Sequence, residues 1–109
     1  VGDVSDVVRK DRRHLSQDGM VLVVMAINSS TGELIYGPDI ITRGLVLEAE
    51  SPGLMEGARA VVLGTLANLN KEARTEEPEV KEEIRRALRK FFNKRLERRP
   101  VILPVIIEI

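Results

Sequence analysis

The last twelve residues, Arg98-Arg99-Pro100-Val101-Ile102-Leu103-Pro104-Val105-Ile106-Ile107-Glu108-Ile109, constrain the fold more than any other part of the chain. A doubly basic helix end runs through a proline into an apolar segment. That segment is far short of the ~20 residues a membrane helix needs. Rich in valine and isoleucine, it reads as a strand, and one this apolar must be buried in a sheet. A second such segment, Met20–Asn28, is apolar on both alternating faces. It reads as a central strand covered on both sides.

The chain between them supplies the remaining elements. Ser29-Ser30-Thr31-Gly32 has the composition of a hairpin turn. Glu33–Tyr36 starts the return strand, Gly37-Pro38-Asp39 interrupts it because proline cannot donate to a ladder, and Ile40–Glu50 resumes it. Ser51 is expected to cap a first helix, with Pro52 at its first position. Leu54, Ala58, Val61, Val62, Leu66 and Leu69 form its apolar stripe. Asn70–Glu79 reads as a glutamate-rich connection, with Thr75 capping a second helix. The stripe of that helix is Val80, Ile84, Ala87, Leu88 and Phe91, and Pro100 stops it. Lys94, Arg95, Arg98 and Arg99 crowd the end where the helix dipole favours cations.

This order predicts an α+β fold of the α/β type, β-β-α-α-β: a three-stranded mixed sheet with two helices on one face. The first strand is central, antiparallel to the second and parallel to the last. Pro104 suits an edge. The other sheet face is also apolar, so the arm, another domain or a second copy is expected to cover it. Residues 1–19 read as a linker arm and 20–109 as one domain. The start at Val1 and the lack of a targeting signal read as an excised fragment in preference to a processed chain.

Composition excludes several chemistries. The 109 residues contain no cysteine and one histidine. There are thus no disulfides, thiolate metal sites or cysteine nucleophiles, and a reducing, cytoplasmic setting is expected. His14 stands among cations that repel a metal. Asp18 and Asp39 adjoin glycine or proline, where turn roles are favoured, and no phosphate-loop pattern is present. Seventeen cations balance seventeen anions, so any nucleic-acid contact must be local.

The basic clusters are Arg9–Arg13 in the arm, with Arg12 and Arg13 as its candidate contacts, and Arg85, Arg86, Arg89 and Lys90 on the second helix. They form either a solvated face or a phosphate-contact surface, which would be strongly salt-dependent. Arg43 is either stacked on the sheet or paired with an acidic side chain, or else a contact to RNA or a neighbouring domain. With Phe91 assigned to the core, no base-stacking platform is expected. Gly57, Ala60 and Gly64 share a face of the first helix. Mid-helix glycine costs roughly 1 kcal/mol relative to alanine, so a close approach is expected there, to the second helix or at a subunit or domain interface.

Three phrases resemble the bacterial ribonuclease J family: Val1-Gly2-Asp3-Val4 through Asp11-Arg12-Arg13 and Leu15-Ser16-Gln17-Asp18-Gly19; Gly37-Pro38-Asp39-Ile40-Ile41-Thr42-Arg43-Gly44; and Arg98–Ile109. Ser5-Asp6 and Leu45-Val46-Leu47 depart from the usual family pattern. The resemblance implies the C-terminal accessory domain of a metallo-β-lactamase/β-CASP ribonuclease that degrades RNA from the 5′ end and also cuts internally. It implies zinc in a catalytic domain whose ligand motifs do not occur in this chain, so no catalytic or metal residue is carried over. The implied partners are the catalytic core, a second copy in a homodimer or higher assembly, and RNA through the parent enzyme, with no membrane. A small RNA-binding module using the basic helix face is the alternative.

Overall fold

The computed structural model describes residues 18–45 and 53–109. Along the chain these form β1 (Met20–Ile27), β2 (Leu34–Arg43), α1 (Leu54–Asn68), α2 (Lys71–Arg74), α3 (Glu77–Leu96) and β3 (Val101–Glu108). The sheet order is β2-β1-β3. β1 runs antiparallel to β2 and parallel to β3, as the order of elements predicts. Expectations about residues 1–17 and 46–52 lie outside the described residues.

The core forms because side chains alternate along β1. Val21, Val23, Met25 and Ile27 point to one face, where both long helices pack. From α1 come Leu54, Ala58, Val62 and Leu66; from α3 come Val80, Ile84, Leu88 and Phe92. Each set advances in steps of four, a ridge slightly inclined to the helix axis. Phe92, not Phe91, is therefore the core aromatic: Phe92 is fully buried, while Phe91 is half-buried. The stripe inferred from sequence drifted by one residue at its end.

Other local expectations are corrected in the same way. α1 begins at Leu54 and its cap position is Gly53, whose φ is 83° and which makes no side-chain cap bond. The expected cap Ser51 and Pro52 lie outside the described residues. The connection contains a one-turn helix, α2, capped by Asn70, whose side-chain oxygen accepts from the Ala73 N–H at 2.7 Å. Thr75 ends α2 rather than capping α3, and its hydroxyl donates to the Glu72 carbonyl at 2.7 Å. α3 starts after Glu76, which makes no side-chain cap bond, and Pro78 fits its first turn because first-turn amides have no helical partner.

β2 is one strand, and Gly37-Pro38-Asp39 does not break it. The register shifts between Val24 and Ala26, so a bulge absorbs the missing proline donor. Buried Pro38 lies within this edge strand. β2 ends at Arg43, opposite Met20, where β1 begins; beyond Leu45 the strand expected through Glu50 lies outside the described residues. The hairpin closes through Asn28, whose Oδ1 accepts from the N–H groups of Ser30 and Thr31 at 2.8 and 3.0 Å.

Candidate functional site

The second face of the sheet carries Leu22, Val24 and Ala26 from β1. Opposite them stand Ile41 of β2 and Leu103, Val105 and Ile107 of β3. Among the described residues no helix or strand is layered on this face. Ile41, Val105 and Ile107 keep 39%, 40% and 50% of their surface exposed. The result is a continuous apolar sheet surface bordered at the β2 edge by Tyr36 and Asp39. The Tyr36 hydroxyl donates to the Asp39 carboxylate. That hydrogen bond and the adjacent negative charge raise the phenol above its ordinary pKa.

A second surface lies along α3. Arg86, Arg89, Lys90, Asn93 and Arg99 line an open hollow of about 290 Å³. α3 presents the first four at intervals of three and four residues, so they stack on one side. The left-handed residue Glu97 (φ 55°) closes the helix, its N–H donating to the Asn93 carbonyl at 2.9 Å. Arg99, just beyond, completes the hollow. Arg86 is held by Glu83 at 3.0 Å and Glu82 at 4.0 Å. Among the described residues the side chains of Arg89, Lys90 and Arg99 form no ion pair.

The basic residues singled out from sequence thus separate. Arg86, Arg89 and Lys90 come together. Arg85 does not line the hollow and is paired with Glu82 at 2.7 Å. Arg43 ends β2 opposite Met20, and its guanidinium donates to the Thr42 carbonyl at 3.0 Å. Arg12 and Arg13 lie outside the described residues. Sequence reasoning gave Arg99 only a dipole role and overlooked Asn93, although the spacing 86, 89, 90, 93 was readable.

The small-residue face of α1 also divides. A Cβ on Gly57 would lie 2.9 Å from Cζ of Phe91, so Gly57 makes room for the aromatic ring in the α1–α3 seam. Arg95 lies over that ring, 5.4 Å from its centroid. A Cβ on Gly64 would meet nothing within 4 Å, and Ala60 is exposed. Gly64→Ala should therefore stabilise the domain by about 0.5–1 kcal/mol through helix propensity. Gly57→Leu should cost about 1–3 kcal/mol through overpacking. Urea denaturation of the two variants checks both signs.

Among the described residues no three of His, Cys, Asp or Glu converge on a point that could hold a metal ion. No described helix is long and apolar enough to cross a membrane. Fold and surfaces together define a small α+β domain whose exposed features are an apolar sheet face and a cationic hollow. The chain belongs to the ribonuclease J C-terminal domain family, whose model, described as "Ribonuclease J C-terminal domain", matches residues 7–109. It is 38% identical over its whole length to Ribonuclease J2 of Bacillus subtilis (strain 168), covering 20% of that protein. It is 36% identical over 98% of its length to Ribonuclease J 1 of Streptococcus pyogenes serotype M3, covering 19% of that protein. To Ribonuclease J 2 of Staphylococcus aureus (strain NCTC 8325 / PS 47) it is 34% identical over its whole length, covering 20%. The chain thus spans about a fifth of the length of the curated relatives it matches. The resemblance carried by the three phrases is borne out.

Proposed function

We propose that this chain serves as a non-catalytic assembly domain of a ribonuclease J-type, RNA-degrading enzyme of the cytoplasm. In this reading residues 1–19 are the arm to the catalytic core, and zinc is held in that core. The domain supports pairing of two copies and thereby full activity. The observation that carries this reading is the open apolar sheet face of Leu22, Val24, Ile41, Leu103, Val105 and Ile107.

Large uncovered apolar patches are costly in water and mark association sites. An exposed apolar sheet face can also meet its own copy across a two-fold axis in a self-complementary contact. Sedimentation equilibrium of the chain should give twice the monomer mass. The double variant Val105→Lys/Ile107→Lys should sediment as a monomer with an unchanged circular dichroism spectrum. A monomeric parent chain at millimolar concentration, or a dimer indifferent to both lysines, would overturn the assembly reading. RNA cleavage by the purified chain that is abolished by a chelator, and by substitution of a residue in it, would overturn the non-catalytic one.

A further inference from the structure

We propose that the hollow formed by Arg86, Arg89, Lys90, Asn93 and Arg99 is a binding site for the sugar–phosphate backbone of single-stranded RNA. This goes beyond the assembly reading and does not depend on it, since the hollow lies on α3 and the assembly surface is the sheet face away from the helices.

Every polar side chain in the lining can donate hydrogen bonds, four of the five are cationic, and none is a carboxylate. Such a lining selects an anion rich in acceptor oxygens. Three of the cations are unpaired among the described residues. A phosphate would therefore gain charge-assisted bonds without first breaking ion pairs. At Arg86 the bond would compete with Glu82 and Glu83.

The shape favours a polymer over a single anion. Donors recur along α3 at about one helical turn, roughly 5.4 Å, and Arg99 extends the row beyond the helix end. A ladder of point charges on an open surface matches an anion that repeats its charge at regular intervals. No aromatic side chain lines the hollow, so there is no stacking platform. The site reads phosphate rather than base, and with a formal net charge of +0 any attraction must come from a local patch such as this one.

Fluorescence anisotropy tests the site, with end-labelled oligouridylate and oligoadenylate titrated by the 109-residue chain between about 50 and 200 mM salt. The two oligonucleotides should bind alike, and binding should weaken steeply with salt. Arg89→Glu/Lys90→Glu should lower affinity about tenfold or more. Arg89→Gln/Lys90→Gln/Arg99→Gln should flatten the log–log salt slope by about 2. Arg59→Glu/Lys71→Glu, with the same change in net charge away from the hollow, should bind like the parent chain. All the substituted side chains are exposed, so the fold is expected to persist, and circular dichroism checks it. Salt-independent binding, no binding at low salt, or equal losses in the two charge-reversed variants would each overturn the proposal. So would polyglutamate competing as well as unlabelled RNA at equal charge, which would point to an acidic protein instead.

Discussion

Phe92→Ala should destabilise the domain by about 3–5 kcal/mol, the range for deleting a fully buried aromatic. Phe92 is completely buried where α3 crosses the sheet, in a cluster with Leu88 of its own helix and β1. Truncation removes the transfer free energy of the ring and leaves a cavity that rigid neighbours fill poorly. Small domains have total stabilities of about 5–15 kcal/mol, so this one change removes a large share. The melting temperature should fall by about 12 °C or more. Phe91→Ala supplies the contrast. Phe91 sits edge-to-face with Phe92, ring centroids 5.2 Å apart, but is only half-buried in the seam beside Gly57. Its loss should cost clearly less. Equilibrium urea unfolding of both variants decides the matter. Equal losses would mean that the two rings share the core.

That contrast shows what could be read from the chain and what could not. The sheet order was legible because it follows from connectivity: a hairpin sets β2 antiparallel, and two helices return β3 parallel on the other side of β1. The valine-rich center needs no fine detail. The ends of elements depend on such detail. The described helix begins at Leu54 after a left-handed Gly53, a start that no capping side chain signals. Thr75 looks like a cap, yet Asn70 is the residue whose side chain caps, and it caps a helix of one turn. Propensity ranks such choices by only about 1 kcal/mol, which packing readily overrides. Phe91 and Gly57 were each noticed from sequence, but only the fold shows that one makes room for the other.

The candidate surfaces were half legible for a related reason. An apolar second face follows from β1 having no polar side. The cationic hollow needed Arg99, which lies past the end of the helix periodicity and joins Arg89 and Lys90 only through the turn at Glu97. Periodicity ends with the helix, so a wheel diagram cannot supply such a residue. Arg85 fails in the opposite way: its position is right for a basic face, but Glu82 neutralises it.

Gly19→Ala should cost about 2–5 kcal/mol, and the reason explains why the three family phrases stand so far apart in sequence. Asp18 and Gly19 end the first phrase, Gly44 ends the second, and Arg98 opens the third. In the fold they meet at one end of the sheet. Asp18 accepts from the Arg99 N–H at 3.1 Å and lies 3.8 Å from the Arg98 guanidinium. The Val101 N–H donates to the Gly19 carbonyl at 3.0 Å, where β3 begins. A Cβ on Gly19 would sit 2.7 Å from the Gly44 carbonyl carbon and 2.8 Å from the Arg43 oxygen. These neighbours are backbone and cannot rotate away. Gly19 also has φ +87°, a left-handed conformation that costs a side-chain-bearing residue roughly 1–2 kcal/mol. Gly53 separates the two causes. It has φ +83° with nothing within 4 Å of a built Cβ, so Gly53→Ala should show the conformational cost alone. The excess in Gly19→Ala is then the cost of forcing the Gly19 and Arg43–Leu45 segments apart, about 1–3 kcal/mol. If denaturation gives the two variants equal losses, the close approach contributes nothing. If the excess appears, the phrases that identify the family are held together by how the sheet is closed at this end, a requirement of packing that involves no reacting group.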